Sequence, residues 1–434
     1  MKKKIITALL ALVLMLAVIP TMTACSNRDR ILFINSWAYF IDHSILADFE
    51  TWYYEETGNR VEIRVIYFGS NEEVLRNLQR GDDFDLVNPS DYMIQRLIAA
   101  NMVQELDQEV RDRFIEVGSP MLRDLTTIYD PQGRFSVPYI WGTFGIMYDA
   151  RRINDEIGNR QYLNSWSALF PQEGRTTGFS QEQFYRQVTM KASIRDTYAA
   201  TLLHLYSDQL LAYLDAGNSA GHRALLEDLF QNFSNDVMGG TASNPAQKGN
   251  GRFARVRAEL ERQFNMIHSY EIDAGKSVMM RGNAADPALG LYWSVDAGYI
   301  MGNYRGSTDG TALGYIIPDE GTNVWVDAWI IPKNARNTSA ANAFIYFSMK
   351  PEIAMRNSRF AGGQSSNAQA MVQLREEFEA DTAFFANATN EHFRAEFFEA
   401  VFPSDETLAR AAVMGDPGAW LVALSTMFDQ VMGG

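Results

Sequence analysis

Asn323-Val324-Trp325-Val326-Asp327-Ala328-Trp329-Ile330-Ile331-Pro332 is the stretch that decides how this chain folds. It is rich in β-branched and aromatic residues and ends at a proline, so it reads as a strand. A strand sends alternate side chains to opposite faces. That places Trp325, Asp327 and Trp329 on one face and Val324, Val326 and Ala328 on the other. A carboxylate between two indoles suits a dry core badly, because a buried charge is costly unless paired. It suits a cation well: the carboxylate supplies charge and the indole faces supply cation–π attraction. The competing reading is a core edge with an exposed Asp, and pattern alone leaves both open.

The chain around it has 434 residues, a formal net charge of -15 and a single cysteine. At ~150 residues per domain it holds two or three globular units. The 47% hydrophobic content is enough for a sizeable core. An acidic balance argues against nucleic acid or anionic membrane surfaces as partners. His43, His204, His222, His268 and His392 are scattered without metal-ligand spacing, so no metal is expected. At the N-terminus Lys2-Lys3-Lys4 precedes an apolar run over 5–19 and small residues up to Ala24-Cys25. This is the pattern of a secretory signal, over 1–24, and the run is shorter than the ~20 residues that span a bilayer. Met22-Thr23-Ala24-Cys25 resembles the bacterial lipobox, which would make Cys25 the lipidated first residue. The alternative is a plain secreted protein. Without a second cysteine no internal disulfide forms.

Residues 31–35 read as a first buried strand, 36–40 as a loop, and Ile45, Leu46, Phe49, Trp52 and Tyr53 recur at helical spacing. A strand over 61–67, a helix opened by the capping box Ser70-Asn71-Glu72-Glu73, a strand over 84–87 and a helix after Asn88-Pro89-Ser90-Asp91-Tyr92 follow. This β-α alternation is the signature of an open α/β sheet, whose ligands bind beyond the carboxyl ends of its strands. Residues 136–148 cross into a second unit. Residues 165–170 and 181–213 read as largely helical, 239–251 as a loop, 256–264 as a helix, 288–293 and 314–318 as strands. Helices are expected from Asp296, over 335–349, and at Trp420, Leu424, Met427, Phe428 and Val431. Bland readings stand beside the chemical ones. Trp293 can be core, Ser90 an N-cap, Tyr92 packing, Asp91 a helix-start charge and Arg195-Asp196 a surface pair.

Five segments in order point to one family: Ser36-Trp37-Ala38-Tyr39-Phe40-Ile41, Phe84-Asp85-Leu86-Val87-Asn88-Pro89-Ser90-Asp91-Tyr92, Val137-Pro138-Tyr139-Ile140-Trp141-Gly142, the segment from Pro318 through Asp327, and Phe402-Pro403-Ser404-Asp405-Glu406. The chain resembles the extracellular spermidine/putrescine-binding proteins of ABC importers from about Ile31 to its end, less well over 150–290. The resemblance implies an α/β, two-lobed periplasmic-binding-protein-like fold of type II, with the ligand in a cleft between two open sheets. After a tether at 25–30, one lobe would be 31–140 plus 329–362 and the other 141–328 plus 363–434. It implies a monomeric receptor on the outer face of the cell membrane, partnered by permease subunits. A polyamine, putrescine or spermidine, would be its ligand; neither cofactor nor catalysis is implied. Trp37, Ser90, Tyr92, Trp293, Trp325 and Asp327 stand at the family's ligand-contacting positions, with Asp196 and Asp296 as further carboxylates. Phe40 stands where a tyrosine is usual and Ser193 where the spermidine-type receptor has a carboxylate. Gly363 replaces an aromatic wall and Met414 a polar contact. These departures suit a shorter diamine or a changed ligand. The rival readings are a same-fold receptor for a sugar or oligosaccharide, a secreted glycosidase, and a lipid-anchored scaffold. No nucleophile elbow, zinc motif or P-loop supports an enzyme.

Overall fold

The computed structural model describes residues 27–153, 160–171, 185–233, 251–271, 286–303, 312–386 and 388–432. The signal segment, Cys25 and all but the last residue of the expected 239–251 loop lie outside them. The strands are β1 (Ile31–Trp37), β2 (Glu62–Phe68), β3 (Leu86–Val87), β4 (Val103–Gln104), β5 (Ser136–Asp149) and β6 (Val188–Lys191). They continue with β7 (Ser269–Glu271), β8 (Leu289–Trp293), β9 (Leu313–Ile316), β10 (Thr322–Pro332), β11 (Gln364–Ser365) and β12 (Ala411–Ala412).

Hydrogen bonding runs β2-β1-β3-β10-β5-β8-β6-β7. β1 is parallel to both β2 and β3, as the alternation with helices Ser44–Thr57 and Asn71–Arg80 requires. Two long strands, β5 and β10, join a first sheet, β2-β1-β3, to a second, β8-β6-β7 with β9. Residues 136–143 of β5 pair antiparallel with β10, and residues 144–149 pair with β8 and β9. Both strands are buried from end to end, which explains why their sequences are near-continuous apolar runs instead of alternating ones. Gly142 sits at the change of partner. A Cβ there would lie 2.3 Å from Ser294 Oγ and 2.9 Å from Trp325 Cζ2, so glycine leaves room for that indole against β5.

Three apolar cores follow. One packs β1, β3 and β10 against the first helices and helix Thr338–Ser348, with Ile34, Phe49, Leu86, Met93, Trp329 and Phe344 at its centre. The other two cover opposite faces of the second sheet: Trp166, Val188, Met190, Leu202 and Met427 on one side, Tyr292, Ile300, Phe378 and Phe397 on the other.

Several local expectations are corrected. The segment 181–213 contains buried strand β6 before helices Ile194–Leu205 and Ser207–Asp215. Its Val-Thr-Met-Lys alternates, with Val188 and Met190 in the core, and that period marks a strand. β1 runs on through Ser36 to Trp37, so that indole ends a strand and does not start a loop. Trp329 does not share the surroundings of Trp325 and Asp327. The β5–β10 register shifts between Asp327 and Ala328, and Trp329 packs in the core 4.4 Å from Tyr139 and 5.7 Å from Phe344, centroid to centroid. In the capping box, Glu73 donates its N–H to Ser70 Oγ at 3.1 Å, but its carboxylate accepts from Gly69 and not from Ser70. Asn27–Arg30, read as tether, is a 3-10 turn pinned by Arg28 to Asp83 at 2.7 Å and to buried Asp85 at 2.8 Å.

Candidate functional site

At the seam, beyond the carboxyl ends of β1, β3 and β6, lies a cavity of about 120 Å³. A single water needs ~10–15 Å³ by this measure, so there is room for about ten such groups, a small solute.

Asp327 forms its centre. The antiparallel approach of β10 to β3 ends in a bridge between Asp327 and Ser90, which carries the carboxylate to the carboxyl end of the first sheet. Asp327 is 3% exposed, and its Oδ1 has no hydrogen-bond partner among the described residues. Burial pushes its carboxyl well above the usual aspartate range. The Ser90 hydroxyl and Arg195 oppose that rise, while Asp91 and Asp196 add to it.

The first-sheet wall is held by helix starts. Ser90 caps helix Asp91–Ala99 through its backbone only. Its N–H donates to Asn71 Oδ1 at 2.9 Å and its Oγ accepts from Asn71 Nδ2 at 3.0 Å. Tyr92, one residue into the helix, donates its hydroxyl to Glu72 at 2.8 Å. Burial first, then Glu72, pushes that phenol well above its usual range. Trp37 stands 4.4 Å from the Phe68 ring and 6.5 Å from that of Phe40. Trp37 Nε1 is buried without a partner among the described residues. Phe40 lines the cavity while its carbonyl accepts from Tyr139 at 2.9 Å and Asn357 at 3.0 Å.

The opposite wall comes from helix Ile194–Leu205, its N-cap Ser193, and the β8 end. Asp196 accepts the Trp293 indole N–H at 2.9 Å. Asp296 lies 2.6 Å from the Lys191 ammonium. Trp325 donates its indole N–H to the Thr143 carbonyl at 2.9 Å. Arg195 is stacked 4.0 Å from the Tyr92 centroid and paired with Asp91 at 3.3 Å. Asp91 also accepts from Tyr92 N–H at 2.6 Å and Val326 N–H at 3.0 Å, so a buried carboxylate ties helix, β10 and arginine together. Arg195-Asp196 is therefore no surface pair.

Trp37, Phe40, Ser90, Tyr92, Ser193, Asp196, Trp293, Asp296, Trp325 and Asp327 all border this one cavity. Gly363 and Met414 do not. Gly363 is packed against Val295 and Ile140, and Met414 supplies a carbonyl to Arg195. Glu72 and Arg195 also line the cavity, and Lys191 stands behind Asp296; the sequence reading gave none of the three a ligand role. In sequence Glu72 belongs to a capping box and Lys191 lies in a segment that reads as helical. Among the described residues no group of three or more His, Cys, Asp or Glu could hold a metal ion.

The family described as bacterial extracellular solute-binding protein matches residues 45–386. The putrescine-binding periplasmic protein PotF of Escherichia coli is 24% identical over 358 residues, 81% of each chain. The fold is that of the TpPotD lipoprotein of Treponema pallidum, with a TM-score of 0.63 at 17% identity over 93% of this chain and 100% of that one. It also matches PotD, the spermidine/putrescine ABC transporter substrate-binding protein of Streptococcus pneumoniae, at 0.60 and 22% over 93% and 98%.

Proposed function

This chain belongs to the bacterial extracellular solute-binding protein family, and we propose that within it the chain is the receptor of an ABC importer for a small polyamine, putrescine or spermidine. The observation that carries this reading is Asp327: a carboxylate 3% exposed, with an oxygen unmet among the described residues, bordering a cavity walled by Trp37, Tyr92, Trp293 and Trp325. A buried acceptor without a donor is unfavourable in the empty protein and favourable once an ammonium arrives. The names of the relatives, putrescine- and spermidine-binding proteins, agree with that chemistry.

In this proposal Asp327 and Asp196 take the ammonium groups and the aromatic walls box the methylene chain. Each charge-assisted hydrogen bond contributes ~1.5–3 kcal/mol and each desolvated cation–π contact ~1–2. Two such anchors with their walls suffice for micromolar binding, about −8 kcal/mol. The lobes are proposed as 31–140 with 329–362 and 141–328 with 363–434, hinged at β5 and β10. The protein captures and delivers its ligand without turnover. Lipidation at Cys25 is proposed to hold it on the outer face of the membrane beside its permease.

A thermal-shift and calorimetric panel of putrescine, spermidine, cadaverine, amino acids and sugars tests this. A ligand that binds only the native state raises its stability by mass action. Amines are expected to raise the melting temperature and sugars to leave it unchanged; the reverse outcome overturns the reading.

A further inference from the structure

We propose that Lys191 is a built-in ammonium that occupies the Asp296 end of the cavity, so that the receptor favours short diamines over the triamine. This rests on the polyamine reading of the same cavity and specifies its charge selectivity.

Alternation in β6 turns Val188 and Met190 into the core and leaves Lys191 at the strand's carboxyl end, the end at which open α/β sheets bind ligands. Lys191 and Asp296 side chains are each 1% exposed, with Nζ 2.6 Å from Oδ2. The same ammonium lies 4.1 Å from the Trp293 ring centroid and 5.1 Å from that of Tyr292. A carboxylate and an indole around an ammonium is the arrangement expected for a bound amine. Here a side chain of the protein already supplies the cation. On the adjacent strand β7, Glu271 is the register partner of Lys191 and its carboxyl feels that ammonium.

The charges around the cavity then fall into two sets. Arg195 is compensated by Asp91 and Asp296 by Lys191. Among the described residues, Asp327, Asp196 and Glu72 face no cation at ion-pair distance; Asp196 and Glu72 accept only from the neutral Trp293 indole and Tyr92 hydroxyl. A ligand ammonium could reach Asp296 only by displacing Lys191, which would strand a buried cation. The Asp296 end is thus closed to a ligand ammonium, which would meet a like charge there, and this shortens the row of carboxylates that a long polyamine can reach.

Two variants test this by calorimetry, with circular dichroism to check folding. Lys191→Met vacates the Asp296 end and is expected to shift the spermidine-to-putrescine affinity ratio towards spermidine by about tenfold or more. The double variant Lys191→Met/Asp296→Asn replaces the whole pair, which buried pairs tolerate. It is expected to keep the wild-type ratio and to bind putrescine within about threefold of wild type. The proposal is overturned if Lys191→Met keeps the wild-type ratio, or if the folded double variant loses putrescine about tenfold or more, which would make Asp296 a ligand anchor. Should Lys191→Met fail to fold, the double variant decides alone. Amine binding gained only in Lys191→Met upholds the role of Lys191 while rejecting the polyamine reading of the native cavity. No amine binding by either protein rejects both.

Discussion

Glu396 and Asp327 are both buried carboxylates, one under the second sheet and one at the seam, and they are treated in opposite ways. Glu396 accepts from Tyr148 at 2.9 Å, from Arg160 Nε at 3.0 Å, and from Tyr315 N–H and Asn390 at 3.2 Å each. Asp327 has an oxygen with no donor among the described residues, and burial, with two neighbouring aspartates, raises its proton affinity. A carboxylate met on every side holds structure together. One left short of donors is poised to take a cation from outside. Burial alone therefore does not separate architecture from function; satisfaction does.

The largest effect should come from breaking the satisfied member. Glu396→Ala removes the acceptor shared by Arg160, Tyr148, the Tyr315 N–H and Asn390, and is expected to cost about 2–4 kcal/mol of stability in denaturant unfolding. Amine affinity should hardly move, since Glu396 is outside the cavity; a neutral effect on stability would remove the contrast. Asp327→Asn is next. It should weaken amine binding by about tenfold or more. It should also leave the empty protein as stable as before or more so, by about 1 kcal/mol. Loss of stability with unchanged calorimetric affinity would make Asp327 a second Glu396.

Protonation sharpens the contrast further. The Asp327 carboxyl is raised in the native state, so the folded protein holds its proton more tightly than the unfolded chain does. That contribution to stability is present below the unfolded aspartate range, about pH 4, and is lost as pH rises through the raised native value. Amine binding needs the carboxylate. Affinity should therefore rise with pH across that window and binding should release a proton there, seen as a buffer-dependent heat. Asp327→Asn should abolish that proton release. The smallest expected effect is from salt. Going from ~0.05 to ~0.5 M should weaken amine binding only a few-fold, because a buried pair is screened less than a surface one. A strong salt dependence would place the charges nearer the surface.

Much of this was legible beforehand. The alternation of strands and helices, the seam strands and the ten cavity residues were all readable as local patterns or as a resemblance. Lys191 was not, because a four-residue strand beside a helix carries too little period to stand out. Trp329 departs from strict alternation because the β5–β10 register shifts between Asp327 and Ala328. Glu72 carried a sufficient local explanation as part of a helix cap, which hid its place in the wall.

The sequence by itself determined the two long apolar strands, the aromatic and acidic residue types around them, and the glycine that lets Trp325 lie on β5. Periodicity, propensity and size act over a few residues, so a linear reading reaches them. Only the tertiary structure decided which of the acids are already compensated. Asp91 meets Arg195 and Asp296 meets Lys191 across about a hundred residues of chain, while Asp327 is left with an oxygen unmet among the described residues. Charge compensation falls off over a few ångströms in space, and no spacing along the chain encodes it.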